Sequence, residues 1–313
     1  MPFVSRPSTP AGLAARHARR VIIALMASTM LGAAAHAQDS PAPADLNLSG
    51  AASSSVPAGL AQLPVERQVA WLEHAAQNGE FAPLSDAQLI AVFQELAPDT
   101  VPRYVRNGSR LYWECEFQMF SQQRVRGVWQ IQPAHMLVRY RRQPRQVYVK
   151  WLADGRNAGQ ETIYDELKDA HQLYAHQGGL LQFVAMWTSI DSARALAQSN
   201  HTVRELGIDY VTEQFLSELE KYRAAGVEKP TKIEVLHDHG TRIVAFTWET
   251  PSGQPEFYAK RERLGLDLRH PFFRTVEAWD NQGEIFEKFS FLDVTPKHFD
   301  DATFDPKNPE YAF

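Results

Sequence analysis

Apolar and polar side chains alternate along the segment LYWECEFQMF, residues 111–120. Successive side chains of a β-strand point to opposite faces, so one face would carry Leu111, Trp113, Cys115, Phe117 and Met119. Such alternation is typical of an antiparallel strand with one buried face. The segment therefore predicts a half-buried strand. Within it, the only cysteine of the chain is expected to be a buried, inert thiol rather than a nucleophile or redox centre.

Further strand-like windows surround this segment at short intervals, separated by turn residues such as Asp154-Gly155 and Gly178-Gly179. Residues 280–283 have the composition of a tight hairpin. The windows are VRGVWQIQ (125–132), HMLVRYRR (135–142), RQVYVKWLA (145–153), QETIYDEL (160–167), HQLYAHQ (171–177), TKIEVLHDH (231–239), TRIVAFTWET (241–250), EFYAKRERLGL (256–266), FRTVEAWD (273–280) and EIFEKFSFLDV (284–294). This spacing predicts an antiparallel meander of about ten or eleven strands.

Three stretches, 60–78, 85–97 and 202–224, instead show apolar residues at helical spacing. The last two begin with a capping-box pattern, in which Ser85 is followed three residues later by Gln, and Thr202 by Glu. Few helices and many strands predict an α+β fold, in which the helices cover one face of a long, strongly curved sheet.

The N-terminal part of the chain has the composition of an export signal and a leader. In residues 1–37, arginines precede an apolar run of 15 residues and a small-x-small triplet, which predicts cleavage between Ala37 and Gln38 by the general secretory route. A membrane anchor is the alternative, but the run is shorter than the roughly 20 residues needed to span a bilayer. No cysteine at the cleavage point could accept a lipid. Residues 38–59 are rich in Ala, Ser and Pro and predict a disordered leader, and residues 60–313 a single domain.

Charge narrows the classes of partner. The whole chain has a formal net charge of −5, but the predicted signal holds four arginines and no acid, so the exported chain would carry −9. An acidic surface without a basic stripe argues against nucleic acid as a partner. No other window is long and apolar enough to predict a transmembrane segment in the mature chain.

Catalytic motifs are scarce. The sequence holds no GxSxG, SxxK, GxxxxGK[ST] or GxGxxG pattern, so it predicts no cofactor. His237, Asp238 and His239 could hold a metal together with His171 or His176, but they also fit an ordinary hairpin turn, and no HExxH or CxxC spacing accompanies them. We therefore predict no metal site and no catalytic residue. A hydrolytic or metal-dependent enzyme is only the third interpretation, although nothing excludes a carboxylate-dependent glycosidase.

Positive charge is concentrated in one run, at Arg139, Arg141 and Arg142. One interpretation is a basic face for an anionic head group, a peptide or an acidic partner. The other is a solvated edge strand whose charges prevent pairing with other chains.

Several strands carry large apolar groups on both faces, more than one core-facing side can account for. What the helices leave uncovered would enclose an apolar cavity for a hydrophobic ligand, although a filled core fits the same pattern. The candidate lining residues are Trp113, Phe117, Trp129, Tyr148, Trp151, Phe246 and Trp248.

Four stretches carry a resemblance to a known family. They are QVYVKWLADGRNAGQETIYDELKDAHQLYAHQGG (146–179), HTVRELGIDY (201–210), GLDLRHPFFRTVEAWDNQGEIFEKFSFLDV (265–294) and FDPKNPEYAF (304–313). They resemble an uncharacterised exported bacterial family, domain of unknown function 1571, in the LolA/LolB-like superfamily. Within them Glu161, Tyr164 and His176 would either form a polar rim or hydrogen-bond a strand crossing, and the terminal stretch would seal one end of the sheet.

The resemblance implies a half-barrel of antiparallel strands closed by helices, whose apolar concavity binds acyl chains. It implies a soluble periplasmic carrier or sensor whose partner is a hydrophobic small molecule, a lipid or a lipoprotein. The runner-up is an envelope interaction or regulatory module that contacts another envelope protein and binds no ligand.

Overall fold

The computed structural model describes residues 56–179, 184–252 and 256–313. These residues belong to one compact unit. The predicted export signal, its cleavage between Ala37 and Gln38, and nearly all of the predicted leader lie outside the described residues.

Twelve strands in the described residues form a single antiparallel sheet. They are β1 (Glu114–Val125), β2 (Val128–Trp129), β3 (Ala134–Arg141), β4 (Gln146–Trp151), β5 (Glu161–Asp165), β6 (Gln172–His176), β7 (Met186–Ser189), β8 (Lys232–Asp238), β9 (Thr241–Glu249), β10 (Arg261–Asp267), β11 (Phe273–Trp279) and β12 (Ile285–Pro296). Their order is β7-β6-β5-β4-β3-β1-β12-β11-β10-β9-β8, with β2 paired only to β1. The predicted fold class, a curved antiparallel sheet covered by helices, is confirmed.

Strand β1 alternates as the sequence predicts, with Cys115, Phe117 and Met119 buried on one face. The prediction of its start is wrong, however. Residues 109–112 form a 3₁₀ turn, and the strand begins only at Glu114. Leu111 and Trp113 therefore leave the buried face and are 61% and 40% exposed.

Four α-helices lie in the described residues, namely α1 (Val65–Gln77), α2 (Asp86–Glu95), α3 (Thr100–Gly108) and α4 (Ile208–Ala224). Both halves of the capping box are present at α2, where Ser85 N donates to Gln88 Oε1 at 2.8 Å and Gln88 N donates to Ser85 Oγ at 3.3 Å. The helices share one hydrophobic core with one face of the sheet, which we call the inner face.

The helix predicted over 202–224 is interrupted. Its capping box is present, but it closes only a 3₁₀ turn at Val203–Glu205. Gly207 then adopts a φ of 133°, which residues other than glycine rarely adopt, and α4 starts at the next residue. The segment before α4 can therefore lie across the sheet instead of continuing the helix axis.

The outer face of the sheet is covered at one end by the C-terminal segment. Tyr148 and Ile163 pack there with Phe299 and Phe304 in a second, smaller core. The ring of Tyr311 stacks on that of Tyr148 with centroids 3.9 Å apart. Side chains on both faces of β4 and β5 are thus buried, those of the outer face under the chain terminus.

Candidate ligand cavity

A cavity of about 240 Å³ lies between the inner face of the sheet and the segment 194–207, which we call the strap. An engineered apolar cavity of about 150 Å³ in another protein holds a benzene molecule, so the space is large enough for part of an apolar ligand. It extends across the inner face from β7 to β10.

The sheet side of the cavity is mainly apolar. It is formed by Met119, Ala134, Met136, Val149, Trp151, Leu173, Ala175, Met186, Ile190, Val276, Phe289 and Phe291. Methionine fills irregular space and adapts to different shapes, so three methionines among these residues allow the surface to repack around a ligand.

The strap is held to the sheet by side-chain hydrogen bonds. Gln123 of β1 accepts a hydrogen bond from the backbone N–H of Asn200 at 2.7 Å, and Gln130 Nε2 donates to the carbonyl of Gln198 at 2.9 Å. At the far end, Arg204 Nε donates to the hydroxyl of Tyr164 at 2.8 Å. Because these bonds are made by side chains and not by backbone pairing, opening of the strap would break no strand pairing.

A polar cluster joins the strap to β12. His201 Nδ1 lies 3.1 Å from Glu205 Oε2, and His201 Nε2 lies 2.6 Å from Glu287 Oε1. The hydroxyl of Tyr258 donates to the other oxygen of Glu287 at 2.6 Å. Burial lowers the pKa of His201, but its bonds to the two carboxylates outweigh that effect and raise it to about 10. The ring is therefore protonated at neutral pH and both its nitrogens are bonded, so it is not available as a general base. We call His201 with Glu205 and Glu287 the clasp.

Glu262 of β10 lines the same cavity without an ion pair to a cation in the described part of the chain. Burial raises its pKa to about 8, and the neighbouring Glu218 and Glu287 contribute in the same direction. The carboxyl is thus mainly protonated at neutral pH, which lets it face an apolar cavity without the cost of a buried charge.

The seven aromatic residues singled out from the sequence do not form one group. Trp151 lines the main cavity, and Phe246 and Trp248 line a second cavity of about 160 Å³ between α2, α3 and the β8–β9 hairpin. Phe117 packs edge-on against Phe291 in the core.

The other three aromatic candidates lie away from both cavities. Tyr148 is on the outer face. The guanidinium of Arg142 lies over the ring of Trp113, with its Cζ 5.2 Å from the ring centroid. Trp129 belongs to the short hairpin strand β2. The sequence pattern identifies strand residues but not which face the C-terminal segment covers.

Glu161, Tyr164 and His176 hold other parts of the chain in place. Glu161 and His176 are opposite each other on β5 and β6, and Glu161 accepts a hydrogen bond from the backbone N–H of Ala312 at 2.9 Å. Tyr164 points to the inner face and binds the strap through Arg204. Glu161 thus binds the chain terminus, and Tyr164 binds the strap.

The basic run is neutralised within the molecule. Arg139 binds Glu116 at 3.0 Å and Glu310 at 3.1 Å. Arg141 is buried and binds Glu114 at 3.1 Å, together with Gln146, Asp301 and the carbonyl of Phe299.

Arg142 completes this picture, since it binds Glu213 at 2.5 Å and lies 3.4 Å from Asp209. The interpretation as a solvated edge strand is wrong, because β3 lies inside the sheet between β1 and β4. The arginines instead connect the sheet to the C-terminal segment and to α4.

The residues weighed as metal ligands are engaged elsewhere. Asp238 binds Arg274 at 3.1 Å and Ser290 at 2.9 Å, and the ring of His239 stacks on Phe120 with centroids 4.4 Å apart. His237 faces solvent. Within residues 56–179, 184–252 and 256–313, no group of three or more His, Cys, Asp or Glu side chains is arranged to hold a metal ion. Burial raises the pKa of the Cys115 thiol to about 12, as expected for an inert core cysteine.

Sequence reasoning missed the polar side of the cavity. His201, Glu287 and Tyr258 come from three distant segments, and only folding brings them together. A local signal existed for Glu205, but it pointed to a helix cap. The cap and the clasp use the same carboxylate, because Glu205 accepts from both Thr202 N and His201.

The model of a protein family described as "Protein of unknown function (DUF1571)" matches residues 112–313. The chain belongs to this family. The family region of DUF1571 thus includes the twelve strands of the described residues, the strap and α4, whereas α1, α2 and α3 precede it. No curated protein matches the sequence.

Several solved structures are similar to this DUF1571 chain at low sequence identity. An uncharacterised conserved protein from Thermus thermophilus is 10% identical, with 66% of this chain and 94% of that chain covered and a TM-score of 0.36. A DUF1329 family protein from Desulfovibrio piger is 8% identical, with 67% and 98% covered and a TM-score of 0.33. A LolA superfamily protein from Nitrosomonas europaea is 6% identical, with 67% and 98% covered and a TM-score of 0.29.

None of the helices in the part of the chain that the structure describes combines the length and apolarity required to cross a membrane.

Proposed function

We propose that this protein binds the apolar chain of a lipid, an acyl group or a lipoprotein in the cavity between the inner sheet face and the strap, as a periplasmic carrier or sensor. The observation that carries the proposal is the cavity itself, a space of about 240 Å³ whose sheet side is lined mainly by aliphatic, methionine and aromatic side chains. Burial of a chain there is favourable by about 0.8 kcal/mol per methylene.

The construction of the cavity supports reversible binding. The sheet side is a rigid hydrogen-bonded surface, whereas the strap is attached through side chains such as Gln123, Tyr164 and His201. A ligand can enter when these bonds open and close again, at a cost far smaller than that of unfolding the sheet.

Export is the second part of the proposal. The predicted signal in residues 1–37 supports it, and cleavage there would leave a chain that begins at Gln38. Expression of the full chain in a Gram-negative host, followed by intact mass measurement of the periplasmic protein, tests this. A protein that retains residues 1–37 or is found with the membrane would contradict it.

Native mass spectrometry of the same preparation tests the binding. We expect adducts with the mass of lipids or fatty acids, and saturable displacement of a fluorescent fatty acid. A bulky side chain at Ala175, which lines the cavity, should block that binding. We therefore expect Ala175→Trp to weaken it at least about tenfold, because the new side chain occupies the space of several methylenes.

The matched control is Ala70→Trp, which adds the same side chain on the exposed side of α1. It should bind as the unaltered protein does. If no variant and no preparation binds lipid while the fold is intact, the carrier proposal fails and the ligand-free envelope interaction module becomes the better explanation.

A further inference from the structure

Arg156 is the one guanidinium in the lining of the main cavity that is partly buried and has no counter-ion in the described part of the chain. Its Nε atom is buried without a hydrogen-bond acceptor. By contrast, arginines of the neighbouring strands, such as Arg139 and Arg141, each bind at least two acidic side chains. A buried N–H group without an acceptor carries a free-energy cost that the other arginines avoid.

The backbone around Arg156 is held in place by neighbouring residues, and this fixes where its side chain begins. Its backbone N–H donates to the carbonyl of Pro133 at 2.9 Å. The preceding Gly155 packs closely on His135, and a Cβ on this glycine would lie 2.3 Å from the backbone nitrogen of His135. The following residue, Asn157, has a φ of 63° and hydrogen-bonds Gln198 of the strap. The β4–β5 loop therefore holds the guanidinium between the sheet and the strap.

The surroundings of Arg156 in the lining are neutral or basic. The amides of Gln160, Gln177 and Gln198 line the same cavity, as does Arg194. Burial lowers the pKa of Arg156, the direction expected for a cation that has lost water and has gained no anion.

The acids of the cavity lie on other strands. Glu287 is on β12 and Glu262 on β10, three and five positions away from β4 in the sheet order. Glu205 and Glu287 are in addition bound to His201. None of these carboxylates forms an ion pair or a hydrogen bond with Arg156 in the described part of the chain.

We propose that Arg156 binds the anionic end of an amphiphile, a carboxylate or a phosphate, whose apolar chain lies in the cavity. A guanidinium matches both oxyanions with two parallel N–H donors, and such charge-assisted pairs are stronger than neutral hydrogen bonds. The ligand class is thus an anionic single-chain amphiphile or lipid. This inference rests on the proposed function and adds the chemistry of the head group.

Three probes with the same ten-carbon chain test the inference, namely decanoate, decyl phosphate and decanol. Their dissociation constants are measured by displacement of a fluorescent fatty acid from the full chain and from Arg156→Gln and Arg156→Lys. For the unaltered protein we expect at least one of the two anions to bind about tenfold or more tightly than decanol, as a charge-assisted pair implies. The anion that binds more tightly identifies the head group.

Arg156→Gln should remove this preference and leave the affinity for decanol unchanged, whereas Arg156→Lys should retain part of it. Arg110→Gln removes the same charge at an exposed position outside both cavities and should change nothing. A preference for the anions that survives Arg156→Gln, or equal binding of all three probes by the unaltered protein, would overturn the inference while leaving the cavity proposal intact. Failure of all three probes to bind would instead contradict the proposed function.

Discussion

His201 Nε2 lies 2.6 Å from Glu287 Oε1, and this contact joins the strap to the last strand of the sheet. Glu287 is almost fully buried and also accepts the hydroxyl proton of Tyr258. Two segments that cover the cavity, the strap and the segment before β10, therefore depend on one carboxylate. Opening of the cavity requires this carboxylate to exchange its partners for water.

The first prediction follows from that dependence. Glu287→Gln removes the charge that binds His201, so the strap should open more often. We expect amide hydrogen exchange in residues 199–207 to accelerate about tenfold or more, in line with the loss of a buried charge-assisted bond. Glu310→Gln breaks an exposed ion pair with Arg139 and serves as the control. Equal exchange in the strap of both variants would contradict the role of the clasp.

The clasp also predicts a dependence on pH. The folded-state pKa of His201 is raised from 6.5 to about 10, so the protonated ring stabilises the closed strap fully below about pH 6.5. That stabilisation is lost as the pH rises through about 10. Protection of residues 199–207, measured after correction for the intrinsic exchange rate, should therefore fall between pH 7 and pH 10. Unchanged protection over this interval would show that the ring is not the protonated partner.

Glu262 gives a pH prediction of a different kind, since its pKa is raised to about 8 by burial and by Glu218 and Glu287. In the unfolded chain the carboxyl ionises above about pH 4.5, whereas in the folded protein it stays protonated up to about pH 8. The free energy of unfolding therefore falls as the pH rises from about 4.5 to 8. Glu262→Gln should remove that loss. We expect the variant to be more stable than the unaltered protein by about 2 to 4 kcal/mol at pH 9, and by under about 1 kcal/mol at pH 5.

Urea unfolding at the two pH values measures this difference. Glu220→Gln, on the exposed side of α4, should show no such dependence. A Glu262→Gln variant that is equally or less stable at pH 9 would mean that the carboxyl is ionised in the folded protein and has a partner there.

The local parts of the fold could be predicted from the sequence. Alternation predicted the buried side of β1, and the capping box at Ser85 correctly placed the start of α2. Turn residues placed the last hairpin, where Gly283 N bonds the carbonyl of Asp280 at 3.0 Å. Each of these features depends on residues a few positions apart, and their physical causes are local.

What depends on distant segments could not be predicted. Strand β7 and helix α3 were missed, and the window 125–132 yields only the two-residue strand β2. Tyr148 was expected in a cavity because the sequence does not reveal that Tyr311, 163 residues later, covers it. The polar clasp was missed for the same reason, because His201 and Glu287 meet only when the strap and β12 pack together on one sheet face.

Arg141 provides a test of stability rather than of binding. Its guanidinium is buried and bonds to Glu114, Gln146 and the carbonyl of Phe299. Arg141→Gln takes the cation from the partly buried Glu114 carboxylate and the donor from the buried amide oxygen of Gln146 and the carbonyl of Phe299, so we expect a loss of about 3 kcal/mol in the free energy of unfolding. Arg110→Gln, at an exposed site, should change it by under about 0.5 kcal/mol. If Arg141→Gln unfolds like the unaltered protein, the arginine is free and a partner-binding basic face regains support.

The last prediction concerns Gly207, which separates the strap from α4. Its φ is 133°, and a Cβ added there would lie 2.7 Å from Asp209 Oδ1 and 3.1 Å from the ring of Tyr140. That ring hydroxyl donates to the same Asp209 oxygen at 2.7 Å, so the neighbours cannot give way without breaking a buried bond. Gly207→Ala should therefore destabilise the protein by about 2 kcal/mol or more, because the conformation and the contact both oppose it. Gly226 also has a positive φ, but nothing lies within 4 Å of a Cβ added there. Gly226→Ala therefore measures the loss of stability that is due to the backbone conformation alone. Urea unfolding of the two variants gives the comparison, and a Gly207→Ala loss no larger than that of Gly226→Ala would show that the strap and α4 can shift apart at this residue.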